Sequence, residues 1–64
     1  MRSLPKLPKG WTYLHYGSPP EYAQYYVVAV GPSGPDGIFK RIEVHALTYI
    51  YLIEELEKEL EGLN

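Results

Sequence analysis

The stretch Tyr22–Val30, which reads YAQYYVVAV, decides the fold of this chain. β-branched and aromatic residues dominate it, as is typical of β-strands. Apolar residues stand at both odd and even positions, so both faces of the strand are expected to be covered. The stretch therefore predicts a central strand, in which Tyr25 and Tyr26 point to opposite faces of a sheet.

Two further strands are predicted on either side of it. Trp11–Tyr16 (WTYLHY) is rich in aromatic residues and predicts a first strand, and residues 17–20 (GSPP) predict the turn that ends it. Residues 31–37 (GPSGPDG) predict a hairpin loop, and Ile38–Val44 (IFKRIEV) predicts a third strand. The simplest arrangement of these strands is a three-stranded antiparallel β-meander.

The pattern becomes helical from about His45 to Glu61, where apolar residues recur at spacings of three and four and form one face. The members of this face are Ala46, Tyr49, Ile53, Leu56, Leu60 and Leu63. Gly62 is a suitable C-cap, whereas no Ser, Asp or Asn immediately before His45 marks the start. We therefore predict an α+β fold, with one C-terminal helix packed on the sheet in a single small domain over residues 11–64.

Residues 1–10 (MRSLPKLPKG) contain the tripeptide Leu-Pro-Lys twice. Prolines at short intervals, without hydrophobic periodicity, favour an extended polyproline-like arm. Such an arm is either disordered, as many chain ends are, or becomes ordered on a partner.

The composition of the 64-residue chain restricts its chemistry. The chain has no cysteine, which excludes a disulfide framework and a thiolate metal site. Prolines interrupt the N-terminal residues, so we expect neither a signal peptide nor a membrane span, and a cytoplasmic location. The chain has one Gln and one Asn but abundant Glu, Lys, Pro and Tyr. This composition resembles that of hyperthermophile proteins.

The net charge of −2 is unevenly distributed. Residues 1–44 carry five basic and three acidic residues, whereas residues 45–64 carry one basic residue, Lys58, and five glutamates. Proteins that bind DNA usually present a basic face. The charge distribution therefore disfavours nucleic acid as a direct ligand.

The predicted helix carries more apolar residues than one packed face requires. Leu47, Ile50 and Tyr51 point to a neighbouring face. Either the arm folds back over them through Leu4, Leu7 and Trp11, or they insert into a groove of a partner protein as helix anchors. Three aromatic residues are reserve candidates for the same contact, because Tyr and Trp are preferred interface anchors. They are Trp11, Tyr25 and Tyr26.

The sequence offers little to a catalytic interpretation. His15 and His45 are the only histidines, and Glu43 stands two residues before His45. A His–Glu pair can titrate near neutrality or bind a metal, but a metal site needs three or four ligands. No phosphate loop, nucleophile elbow or paired-acid motif is present. We therefore expect no enzyme activity, no catalytic residue, no metal, no cofactor and no small-molecule substrate.

Three strands followed by a helix also resemble the layout of the arm-type DNA-binding domains of phage and transposon integrases. This resemblance implies a sheet that enters the major groove. The basic residues would then have to share one face, and the acidic helix would oppose binding. These basic residues are Arg2, Lys6, Lys9, Lys40 and Arg41.

The pattern Leu47-x-x-Ile50-Tyr51 resembles the apolar core of the peptide motif by which proteins dock on the DNA sliding clamp, PCNA. The glutamine that normally stands three positions before the aliphatic residue is absent, and Val44 occupies its place. With its chain size and hyperthermophile-like composition, the chain resembles the small clamp inhibitors of Thermococcales archaea. This resemblance implies an inhibitor that docks through an incomplete motif, with the acidic helix beyond it, and disrupts the trimeric ring.

Overall fold

The computed structural model describes residues 3–63 and shows an antiparallel sheet followed by one helix. The elements in chain order are β1 (Thr12–Gly17), β2 (Tyr25–Ser33), β3 (Phe39–Ala46) and α1 (Tyr49–Glu61). The strands lie in the order β1-β2-β3, and α1 packs on the sheet. The predicted α+β meander with a C-terminal helix is therefore confirmed.

The central position of β2 is also confirmed, and its two faces have different surroundings. Val27 and Ala29 are fully buried on the face that packs against α1, together with Ile42 and Val44 of β3. On the opposite face, called the open face below, no helix packs against the sheet within residues 3–63. The expectation of a cover on both faces is thus wrong, although Val28 is still only 5 % exposed between its neighbouring strands.

The boundary between β3 and α1 differs from the prediction. His45 and Ala46 pair with Tyr26 and Tyr25 of β2 and so extend β3, instead of beginning the helix. The helix begins at Tyr49, where the Thr48 side chain accepts a hydrogen bond from the Tyr51 backbone N–H at 3.2 Å. Threonine is a good N-cap residue, so the helix does carry a start signal, four residues after the expected cap position.

The apolar face of α1 is formed by Leu52, Ile53, Leu56 and Leu60, each at most 9 % exposed. Leu52 was missing from the predicted face, and Leu63, which was included, is 39 % exposed beyond the helix end. Gly62 is the C-cap, as predicted. Among residues 3–63, no helix is both long and apolar enough to cross a membrane.

The described part of the arm, residues 3–10, packs on the core. Leu4, Leu7 and Trp11 are half-buried against the cluster that α1 and the sheet form. The Tyr13 hydroxyl donates a hydrogen bond to the Pro5 carbonyl, which attaches the arm to β1. Met1 and Arg2, which also belong to the predicted arm, lie outside the described residues.

Candidate protein-binding surface

The residues predicted as helix anchors are among the most exposed large apolar side chains of the described chain. Leu47, in the short link before α1, is 75 % exposed, and Ile50 and Tyr51, in the first turn, are 61 % and 60 % exposed. We call these three residues the Leu47 patch. Because Thr48 sets the start of the helix, Leu52 and Ile53 face the core, and the two residues before them face solvent.

The arm leaves the Leu47 patch exposed. Its apolar residues pack against the core cluster, and the groove between arm and helix lies at the other end of α1. That groove is lined by Lys6, Leu7, Pro8, Glu57, Leu60 and Glu61. Leu4, Leu7 and Trp11 therefore do not cover the surplus apolar residues of the helix.

The reserve candidates do not join the Leu47 patch. Trp11 and Tyr25 are half-buried against the core, where the Tyr25 ring lies 6.0 Å from the Tyr49 ring in an edge-on arrangement. Tyr26 lies on the open face, opposite His45 in the register. Of the six candidates, only the three at the helix start form one exposed surface.

An acidic surface borders the Leu47 patch. Glu54 follows Ile50 by four residues and Glu55 follows Tyr51 by four, so each carboxylate lies one helical turn beyond an apolar side chain. The remaining helix glutamates are also exposed, and Lys58 lies 3.4 Å from the Glu55 carboxylate. An apolar patch with this border is complementary to an apolar pocket with basic residues at its rim.

The open face carries a group of interacting polar and aromatic side chains, drawn from all three strands and the β1–β2 connection. The Tyr22 and Tyr26 rings meet edge-on at 5.1 Å, and the His45 ring stacks on Tyr26 at 5.6 Å. The Tyr26 hydroxyl is in hydrogen-bond contact with Nδ1 of His15. Gly17 makes room for this group, because a Cβ there would lie 2.1 Å from the Tyr26 ring.

Glu43 links the aromatic group to a basic side chain. Its carboxylate is 2.6 Å from Nε2 of His45 and also contacts the Arg41 guanidinium. The hydrogen bond with His45 holds the pKa of Glu43 below its usual value, and the charge of Arg41 acts in the same direction. Desolvation raises the pKa of Tyr26, and the Tyr22 hydroxyl adds to that effect. The open face is thus a polar and aromatic surface whose charges are largely paired.

The Glu43–His45 pair noted in the sequence does form, but it stands apart from further ligands. Within residues 3–63, no group of three or more His, Asp or Glu side chains could hold a metal ion. Beside the pair, an open depression of about 450 Å³ is lined by Tyr22, Ala23, Gln24, Tyr26, Glu43 and His45. Sequence reasoning missed this depression, because its residues come from β2, β3 and the connection between β1 and β2.

The described basic residues do not share one face. Arg41 lies on the open face and contacts Glu43, whereas Lys40, its neighbour along β3, points to the other face. Lys6 lies beside the helix glutamates across the groove of the arm, and Lys9 lies in the turn before β1. Arg2, the fifth basic residue of the DNA-binding alternative, lies outside the described residues.

Comparisons of the chain with protein-family models, with curated proteins and with solved structures find no match.

Proposed function

We propose that this chain is a protein-binding inhibitor of the archaeal DNA sliding clamp, PCNA, and not an enzyme. The observation that carries the proposal is the Leu47 patch, three large apolar side chains that are 60–75 % exposed at the start of a helix with an acidic border. The resemblance of Leu47-x-x-Ile50-Tyr51 to the clamp-docking motif supplies the class of partner.

The patch docks as a helix in a groove, with its apolar side chains as anchors. In a complex, burial of the exposed part of these three side chains contributes about 3–6 kcal/mol of binding free energy. Association itself costs about 4–15 kcal/mol in lost translational and rotational freedom. The patch alone is therefore too small for tight binding, and the adjoining glutamates supply the further contacts with a basic rim.

Inhibition follows if the chain binds an open or monomeric clamp more tightly than the closed ring, because a ligand shifts an equilibrium only by its differential affinity. The anchors occupy the apolar pocket of the clamp near its interdomain connector. The acidic helix extends past that pocket and pushes against neighbouring elements of the ring. Excess chain would then convert trimers into smaller species.

Size-exclusion chromatography with light scattering, applied to an archaeal clamp with and without the chain, tests this function. We expect co-elution and a loss of the trimer peak. Ile50→Ala and Tyr51→Ala should each weaken binding by about tenfold, as truncated interface anchors do. Leu14→Ala is the matched control, because Leu14 is 65 % exposed on β1 and lies outside the Leu47 patch.

Two results would count against the proposal at different levels. An unchanged trimer peak without co-elution would exclude the clamp as the partner. Undiminished binding of the Ile50→Ala and Tyr51→Ala variants would exclude the Leu47 patch as the docking surface.

A further inference from the structure

The outer edge of β3 is an unpaired strand edge. β3 pairs with β2 on one side, and within residues 3–63 no strand pairs with its other side. The register from Arg41 to Ala46 is regular, whereas β1, at the opposite edge, is interrupted by an irregularity between Tyr13 and His15. Regular edges with free N–H and C=O groups are templates for pairing with another strand.

We propose that this edge is a homodimer interface, in which β3 strands of two copies pair antiparallel about a twofold axis and join the two sheets into one. Successive side chains of a strand point to opposite faces, so paired residues must come from the same face. The twofold axis must therefore lie between the two copies of one residue, so that this residue is opposite itself. An axis at Ile42, for example, places the two copies of Ile42 opposite each other. Only a few registers satisfy this condition.

The charges of β3 select one of these registers. An axis at Ile42 places Arg41 opposite Glu43 of the second copy, and the same contact recurs on the other side of the axis. An axis at Glu43 would place two glutamates opposite each other, and an axis at Arg41 two arginines. Like charges directly opposite each other destabilise a sheet. An axis at Val44 would pair β3 only from Ile42 to Ala46.

Both charged groups are available for a second partner. The side chains of Arg41 and Glu43 are 61 % and 39 % exposed, and both lie on the open face. Their contact within one chain involves one guanidinium nitrogen and one oxygen of Glu43, whose other oxygen contacts Nε2 of His45. An arginine has five N–H donors and a carboxylate accepts several hydrogen bonds, so the contacts within and between chains can coexist.

The same register covers two apolar side chains that the single chain leaves exposed. Ile38, in the loop just before β3, is 67 % exposed, and Phe39, the first residue of β3, is 66 % exposed. With the axis at Ile42, Ile38 lies opposite Ala46 of the second copy, and Phe39 lies opposite His45 of the second copy. Phe39 then adds to the aromatic group of Tyr22, Tyr26 and His45 on the open face. Aromatic cross-strand pairs stabilise sheets.

Charge-reversal variants test the pairing and its register together. Arg41→Glu places glutamates opposite each other across the axis, and Glu43→Arg places arginines opposite each other. Each variant alone should weaken dimerisation by about tenfold or more. In an equimolar mixture, the two variants restore opposite charges in both contacts between chains, while positions 41 and 43 within each chain still carry like charges. Recovery on mixing therefore reports pairing between chains.

Sedimentation velocity over about a hundredfold range of concentration measures the dimer by mass action. The unmodified chain should change from 7.3 kDa to twice that mass, and the mixed variants should match it. Lys9→Glu and Glu21→Arg make the same charge changes at exposed positions outside β3 and should not affect dimerisation. Circular dichroism verifies that each variant is folded.

Three results would overturn the proposal. The first is an unmodified chain that remains a monomer throughout. The second is a dimer that neither reversal weakens, which would place the interface elsewhere. The third is a weakened dimer that the mixture fails to recover, which would exclude this register.

Discussion

Gly31 provides a test of how the arm is attached to the domain. A Cβ built at Gly31 would lie 2.3 Å from Cε2 of Trp11, and two further atoms of that ring would be within 2.7 Å. Ordinary contacts between carbon atoms begin at about 3.5 Å. In the variant Gly31→Ala, the Trp11 ring must therefore move by about 1 Å or more, and its packing against the core cluster must change.

The expected cost follows from this overlap. Forcing an additional carbon into a packed contact typically costs about 1–3 kcal/mol. A domain of this size has a total stability of about 3–10 kcal/mol, so the loss is a large fraction of it. The melting temperature should fall by about 4–8 °C for each kcal/mol lost.

The assay uses Trp11 as its own reporter, because the chain contains one tryptophan. We expect a red-shifted emission maximum for folded Gly31→Ala and a lower urea midpoint by circular dichroism. Gly62→Ala is the control, because its Cβ would meet only an ordinary contact at 3.5 Å and its φ of −67° suits alanine. If Gly31→Ala matched this control in both emission and midpoint, the contact between Trp11 and Gly31 would be refuted.

Three further predictions concern the core, the helix start and the open face. Leu56→Ala removes a fully buried side chain and should cost about 2–5 kcal/mol, measured by urea unfolding. Thr48→Ala should cost about 1 kcal/mol, and Thr48→Ser should retain most of that stability, because serine also caps helices. The pKa of Glu43 is lowered in the folded chain, so the ionised carboxylate stabilises the fold at neutral pH. This stabilisation is lost as the pH falls below about 4.3, the ordinary pKa of glutamate. The stability difference between the unmodified chain and Glu43→Gln should therefore shrink in acid; an equal difference at acidic and neutral pH would contradict the role of this carboxylate.

The strand order and the helix could be predicted because local composition determines them. The stretch around Val27 fits only a buried strand, and alternation alone places Tyr25 and Tyr26 on opposite faces. The start of the helix is predicted too early, because His45 and Ala46 fit both a helical stripe and a strand. Pairing with β2 decides between these patterns, and that pairing is a long-range interaction.

The Leu47 patch could be located from the sequence because three apolar residues exceeded what one helix face can bury. The group on the open face could not, since it requires His15, Tyr26 and His45 from three strands to lie in register. It also requires the absence of a side chain at Gly17. In the sequence, this glycine predicts a turn and not a close contact with aromatic rings. The exposure of Phe39 likewise depends on β3 being an edge strand.

The arm and the helix close the core from opposite ends of the chain. Leu4 and Leu7 pack against a cluster that includes Leu60, in the last turn of α1. During synthesis, no N-terminal fragment contains the complete core until Leu60 has been added. The domain is therefore expected to fold only after residue 60 has left the ribosome, and until then its aromatic strands remain exposed to aggregation.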